Sequence, residues 1–395
     1  MAWPTGQAAL PTGTQPDVTV NIAPVETRSD RRRFVDLAWK LYAGDPMWRP
    51  PLKSEVHALI GGARTNPWFL HGKAVFFLAR RNREVVGRIS AQVCDLVQER
   101  RPGLGQWGFF DCIDDAEVAA ALIAAAEAWL RAQGMTRAQG PISLSIWDEP
   151  GLLVSGFDTP PRVMMGHHLP WTERHVLAAG YVGVKDLHTW TVDVIDGFPE
   201  VVNRVVAAAE RSGRIQVRAV DLSQFDREAR IILGILNQAW QDNWGFVPLT
   251  DAEVAFVGKK LKPIVYSHLV RIAEVDGEPI AFMITLPDIN ELTADLDGRL
   301  FPFGWAKLLW RLRQPRTNWF RVPLMGVVPK LQGTRTASFA AFMMIEYIRR
   351  DAARINGARF AEIGWILDDN GPMVSIADAI ESRIEKTYRI YEKDL

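Results

Sequence analysis

The residues whose types and spacing invite chemistry lie in the run Val327-Val-Pro-Lys-Leu-Gln-Gly-Thr-Arg-Thr-Ala337. Residues 322–328 are apolar, Pro329 stops the ladder, 332–336 are small or polar, and from 337 to 350 apolar residues recur at helical spacing. The pattern predicts a buried strand, a tight turn and a helix. The first N–H groups of such a helix have no intrahelical partner and sit at the positive end of its dipole, so they bind anions. Gly333 lets the backbone come close to a phosphate. The expected ligand is a diphosphate-bearing cofactor held by Gln332, Gly333, Thr334, Arg335, Thr336 and Ala337. An ordinary strand–turn–helix connection predicts the same local pattern.

An equivalent turn in the first half has the opposite chemistry. Gln106-Trp-Gly-Phe-Phe-Asp-Cys-Ile-Asp-Asp115 also leads into a long helix, and its turn is read as carrying Asp111, Asp114 and Asp115. Carboxylates there stabilise the helix and repel an anion. The cofactor is therefore expected in the second half.

The elements that must position these turns read as one unit used twice. A strand at 18–25 and a helix from Ser29 are echoed by a strand at 215–220 and a helix at 225–243. The hairpin 75–87 aligns without a gap on 269–281, with Asn82 in one turn and Asp276-Gly277 in the other. Amphipathic helices at 116–134 and 338–357 each end at glycine and lead into a short strand. Alternating strands at 185–190 and 386–391 close the halves. The expected fold is α/β, an α+β mixed sheet with helices packed on it, in two domains at 18–195 and 196–395. Two insertions, 144–165 and 292–318, distinguish the halves and are the natural carriers of specificity.

Composition narrows the function. At 395 residues and 48% hydrophobic content the chain can bury large cores. Lys+Arg and Asp+Glu are both 46, so the basic field expected of a nucleic-acid binder is missing. Cys94 and Cys112 fit no zinc spacing, no metal is expected, and so few cysteines suit a reducing compartment. Residues 1–17 lack the pattern of a signal peptide and read as a disordered tail, so a cytoplasmic location is expected. The longest apolar window, 118–130, is interrupted by Glu127 and is too short to span a bilayer.

The order of elements, with the phosphate turn between the fourth strand of a half and its helix, resembles the GNAT acyltransferase fold. The acyl-CoA loop of that family, Gln/Arg-x-x-Gly-x-Gly/Ala, corresponds here to Gln332-Gly-Thr-Arg-Thr-Ala337. Its ends match, and Arg335 replaces the central glycine. Glu362-Ile-Gly-Trp-Ile-Leu-Asp-Asp-Asn370 resembles the fifth strand and the asparagine that opens the last helix. More narrowly, 240–248, 365–373 and the tail 386–393 resemble the tandem GNAT proteins that include bacterial ceramide synthases. The resemblance implies acyl-CoA as co-substrate and a long-chain N-acyltransferase acting on a hydrophobic amine, a sphingoid base.

On that reading each half has its part. The C-terminal half binds CoA through the loop, Asn370 and the backbone N–H of Val327 or Val328, which faces the thioester oxygen. The N-terminal half, degenerate for CoA, shapes the acceptor site. Aligning Gly134 with Gly357 sets Glu362 opposite Gln139, which makes Glu362 the candidate base. The last helix has Ile376 and Ala377 where the family often has a tyrosine, so Tyr388 or Tyr391 is the candidate acid. Asp288 and Asn290 are candidates to grip the amine, and Asn243, Trp244, Trp147 and His168 (or His167) to line the acceptor site. Residues 301–316 mix Trp305, Trp310 and leucines with Lys307, Arg311, Arg313 and Arg316, a composition suited to roofing a lipid groove or resting on an anionic membrane. Each candidate is also compatible with a packing or surface role. The alternatives are an N-acetyltransferase for a small amine and a non-catalytic acyl-CoA sensor.

Overall fold

The computed structural model describes residues 19–395. The expected tail and Val18 lie outside them. One sheet of thirteen strands runs through the chain: β1 (Asn21–Pro24), β2 (Gly72–Arg81), β3 (Glu84–Cys94), β4 (Leu104–Cys112), β5 (Arg137–Gly140), β6 (Leu152–Ser155), β7 (Val182–Asp193), β8 (Ile215–Ala219), β9 (Val270–Val275), β10 (Glu278–Pro287), β11 (Trp319–Val327), β12 (Phe360–Leu367) and β13 (Arg383–Asp394). The mixed α/β class expected from the pattern is what the chain adopts.

The internal repeat is visible in detail. The hairpins β2–β3 and β9–β10 turn through Asn82-Arg83 and Asp276-Gly277, all four with φ between 50° and 79°, as two-residue turns require. Helices Ala116–Ala132 and Arg335–Asp351, seventeen residues each, cover one face of the first and second halves. Their buried residues, among them Val118, Leu122 and Leu130 in one and Ala340, Met344 and Ile348 in the other, recur at three- and four-residue spacing and build the two main cores.

At the centre of the sheet the strand order is β5-β13-β7-β12. The last strand of the chain lies against β5 of the first half, and β7, which closes the first half in sequence, lies against β12 of the second. β13 and β7 pair with each other between them. The halves thus exchange their closing strands.

The insertions also cross over. Arg321 donates to Val163 O at 2.6 Å, Asp288 Oδ1 accepts from Val163 N at 2.9 Å, and Asn290 donates to Pro161 O at 2.9 Å, fastening the first insertion to the second half. Lys386 adds bonds from β13 to Gly156 O and Thr159 O. In return, Trp39 donates to Asp297 Oδ1 at 3.0 Å, drawing the second insertion onto the first half.

Candidate active site

The site begins where two strands part. β11 and β12 pair in parallel only from Trp319 to Val322 and from Phe360 to Ile363, while β11 stays paired with β10 up to Val327. Along β11 successive residues point their backbone groups to opposite sides. Val328 N–H is taken by Ile280 O at 2.9 Å. Met325 O and Val327 O face the gap, where they accept from Trp240 Nε1 at 3.1 Å and Gln332 Nε2 at 3.0 Å. Of the two valines nominated as donors, Val327 therefore directs its N–H towards the gap, and Val328 is occupied in the sheet.

The following turn is open. Gly333 adopts φ 74° with nothing near the position a Cβ would take, and Gln332, Gly333, Thr334 and Arg335 are exposed. Thr334 caps the helix by accepting from Ala337 N at 3.3 Å. The Arg335 guanidinium lies 4.8 Å over the Phe339 ring of its own helix. Asn370 caps the helix Gly371–Ala379 through Met373 N.

Beside the gap lies a cavity of about 650 Å³ with walls from both halves. Trp147 of the first insertion stacks on Trp240 at 5.7 Å, and Trp240 meets Trp365 at 6.0 Å. Leu308, Leu309 and Leu312 of the helix Gly304–Arg313 contribute to the wall, as do Ile284, Leu286 and Leu324.

The polar side of the cavity comes mostly from the first half. Arg88 holds Asp111 through two bonds of 2.6 and 2.8 Å, and Tyr42 donates to the same carboxylate at 2.5 Å. His168 Nδ1 accepts from Leu153 N at 3.1 Å, and burial pushes its pKa down to about 4, so the ring is neutral. His167 Nε2 faces Asp45 at 2.7 Å. Burial pushes Asp148 up to about 6 and Glu149 up to about 7. Arg321 and Lys260 are the second half's cations in the wall.

No protein-family model matches the chain. It is 42% identical over 379 residues to the bacterial ceramide synthase of Caulobacter vibrioides, a match covering 95% of this chain and 98% of that protein. It is 40% identical over 370 residues to protein YghO of Escherichia coli, covering 93% and 94%. The chain belongs to the bacterial ceramide synthase family. Among solved structures, a tandem GNAT protein from the clavulanic acid biosynthesis pathway superposes with a TM-score of 0.56 at 12% identity over 95% of this chain and 98% of that one. A GCN5-related N-acetyltransferase from Sphaerobacter thermophilus does so at 0.51 and 11% over 96% and 97%. The fold is that of the tandem GNAT proteins, and the chain is an acyltransferase.

Within this family member, the cavity brings together Trp147, His167, His168 and Asn290 of the nominated residues. Glu362, Asp288 and Tyr388 lie behind its wall. Glu362 is fully buried, its oxygens accept no hydrogen bond, and its nearest cation is Arg321 Nε at 3.3 Å. Burial pushes it up to about 7, with Arg321 opposing the shift. Asp288 caps the short helix Ile289–Thr293 through Asn290 N, and burial raises it to about 6. The Tyr388 hydroxyl donates to Gly166 O at 3.0 Å, while Tyr391 donates to Glu173.

Asn243 and Trp244 sit away from the cavity wall, Trp244 near Arg101 and Lys185. Trp310 points outward from its helix, 72% exposed. Asp111 belongs to β4, not to the turn after it, because Arg88 on the neighbouring strand draws its carboxylate into the interior. Among the residues of the wall that the sequence reading did not nominate are Tyr42, Arg88, Arg321 and Glu149. For Glu149 the signal was present in Trp147-Asp-Glu-Pro-Gly151, two carboxylates beside a tryptophan in an insertion.

Among the described residues no helix is long and apolar enough to cross a membrane, and no cluster of His, Cys, Asp or Glu could hold a metal ion.

Proposed function

We propose that the protein transfers a long-chain acyl group from acyl-CoA to the amine of a sphingoid base. The observation that carries this reading is the 650 Å³ cavity, largely apolar and reaching the β11–β12 gap at Pro323, Leu324 and Trp365. An acetyl group and a small amine need no such volume, whereas burying an alkyl chain there yields about 0.8 kcal/mol per methylene. The relative named a ceramide synthase supports the same acceptor class.

In this reading the C-terminal half binds CoA. Its diphosphate meets the N–H groups of Gly333, Arg335 and Thr336 at the helix start, with the Gln332, Arg335 and Asn370 side chains alongside. Val327 N–H stabilises the oxyanion formed from the thioester carbonyl. The N-terminal half, residues 18–195, completes the acceptor site. Residues 301–316 rest on an anionic membrane at its cytoplasmic face: Phe301 and Phe303 are 83% and 78% exposed beside Trp310, Arg313 and Arg316, while the inner side of the same segment roofs the cavity.

The test is to incubate the purified protein with palmitoyl-CoA or acetyl-CoA, with sphinganine or a small amine, and to follow thiol release and amide product by mass spectrometry. Palmitoyl transfer to sphinganine, accelerated by phosphatidylglycerol vesicles, is expected. Turnover with acetyl-CoA alone would replace the lipid reading by the small-amine one. CoA binding without turnover on any pair would make the protein a sensor.

A further inference from the structure

We propose that Glu149, from the insertion of the half that does not bind CoA, is the catalytic base that takes the proton from the acceptor ammonium. This rests on the acyl-transfer reading above and adds to it the group that starts the reaction.

The argument is one of availability. Glu149 lines the cavity, its side chain is accessible, and among the described residues nothing donates a hydrogen bond to its carboxylate. The neighbouring carboxylates are engaged: Asp111 by Arg88 and Tyr42, Asp45 by His167, Asp148 by Ser145 at 2.7 Å, and Glu228 by Arg218 at 2.8 Å. Glu55, the other free carboxylate of the wall, sits on the helix Lys53–Leu59, which buries none of its residues. Glu362 stands behind Arg321 and does not reach the cavity.

The surroundings suit a base. The charged and titratable groups facing Glu149 are Arg88 from β3, Asp111 from β4, Asp148 beside it, His168, whose ring meets the same Gly166 backbone, Lys260 from the helix Asp251–Leu261, Tyr42 from the helix Arg28–Leu41 and Tyr388 from β13. Two cations therefore offset two carboxylates, and the walls around this open side chain raise its carboxyl above the ordinary range, towards values at which it can both accept and release a proton. One further polar atom of a wall residue accepts and donates no hydrogen bond, His167 Nδ1, while Arg321 Nε faces Glu362 at 3.3 Å. With Nε2–H directed at Asp45, Nδ1 is left as an acceptor.

The step balances as follows. One proton moves from the ammonium to Glu149, and the freed lone pair attacks the thioester carbon. The C–N bond forms, the carbonyl oxygen carries the charge, and the C–S bond breaks. A second proton passes from nitrogen to the departing thiolate, giving CoA thiol and amide, and Glu149 releases its proton to solvent.

The experiment compares Glu149→Gln with Glu362→Gln, each assayed on whichever acyl-CoA and amine the wild type turns over fastest. Glu149→Gln is expected to lose roughly 100-fold in kcat at pH 7, with acyl-CoA affinity unchanged and no fall in melting temperature. Its rate should climb with pH in proportion to the free-amine fraction, because an amine already deprotonated needs no base. A kcat within threefold of wild type at pH 7, or a loss that is the same at every pH, overturns the proposal. If the wild type prefers acetyl-CoA and a small amine, the lipid reading falls, and the same two variants on that pair still decide the role of Glu149.

Discussion

Between β4 and β5 parallel pairing ends at Gln106 and Gln139, just as it ends at Val322 and Ile363 between β11 and β12. The first gap is packed with the chain's own backbone: Ile142 N donates to Trp107 O at 2.7 Å, Phe109 N to Ser143 Oγ at 3.2 Å, and Gln92 reaches Ile142 O. A Cβ on Gly108 would collide with the Ile142 carbonyl. In the second gap the backbone carbonyls of Met325 and Val327 meet the side chains of Trp240 and Gln332, which can move aside. The helix starts differ in the same sense. Asp115 caps the first with its carboxylate and pairs with Arg81 at 2.7 Å, whereas Thr334 caps the second with a neutral hydroxyl beside the open Gly333. The helix start that is open and neutrally capped in one copy is closed and negatively capped in the other.

The sharpest break of this comparison is to give the first half the second half's carboxylate. Gln139 is 2% exposed and donates to Glu392 Oε2 at 2.8 Å. Gln139→Glu puts a buried carboxylate against the half-buried Glu392, which Arg101 and Arg137 already pair, and is expected to cost about 3 kcal/mol at pH 8. The new group's folded pKa is raised, so the penalty shrinks towards pH 5. Chemical denaturation at the two pH values measures this, and an equal loss at both would contradict it.

The reverse exchange, Glu362→Gln, has a smaller, signed effect. A folded pKa of about 7 against an ordinary 4.5 means that the stability associated with Glu362 is present below 4.5 and is lost as pH rises through 7. Whatever its offset at pH 4.5, the variant should gain about 2–3 kcal/mol on the wild type by pH 8. A stability difference that stays flat with pH would show that Glu362 titrates normally.

The mildest change exchanges the caps. Thr334→Asp keeps a good N-cap, so melting should not suffer, while acyl-CoA affinity falls by roughly tenfold through repulsion at the helix start. Asp115→Thr should leave acyl-CoA affinity as it was. Calorimetric titration with a non-hydrolysable acyl-CoA reads both, and equal effects at the two caps would remove the distinction between the halves.

Much of the fold could be read from local pattern. The duplicated hairpin shows in Asn82 and Asp276-Gly277, because two-residue turns constrain composition, and the paired helices show in apolar spacing that one packed face imposes. The strand exchange could not be read, since β13 finds β5 across some 240 residues and nothing local records a strand's partner. The candidate site was legible in part for the same reason. Gln332 to Ala337 form one contiguous turn, whereas the cavity is assembled from loops of both halves. Glu362 attracted attention as the ionisable counterpart of Gln139, but facing a cavity is a tertiary property, and Arg321 intervenes.

The central order β5-β13-β7-β12 also governs how the molecule is made. β5 ends at Gly140 and its neighbour begins at Arg383, so during synthesis the first half waits for a strand that has not yet left the ribosome. At ordinary elongation rates that interval is on the order of ten to fifty seconds. The nascent edge is guarded by its own design: β5 is four residues long and opens with Arg137, features that discourage pairing with another chain. Release of the last residues then completes both halves in one event.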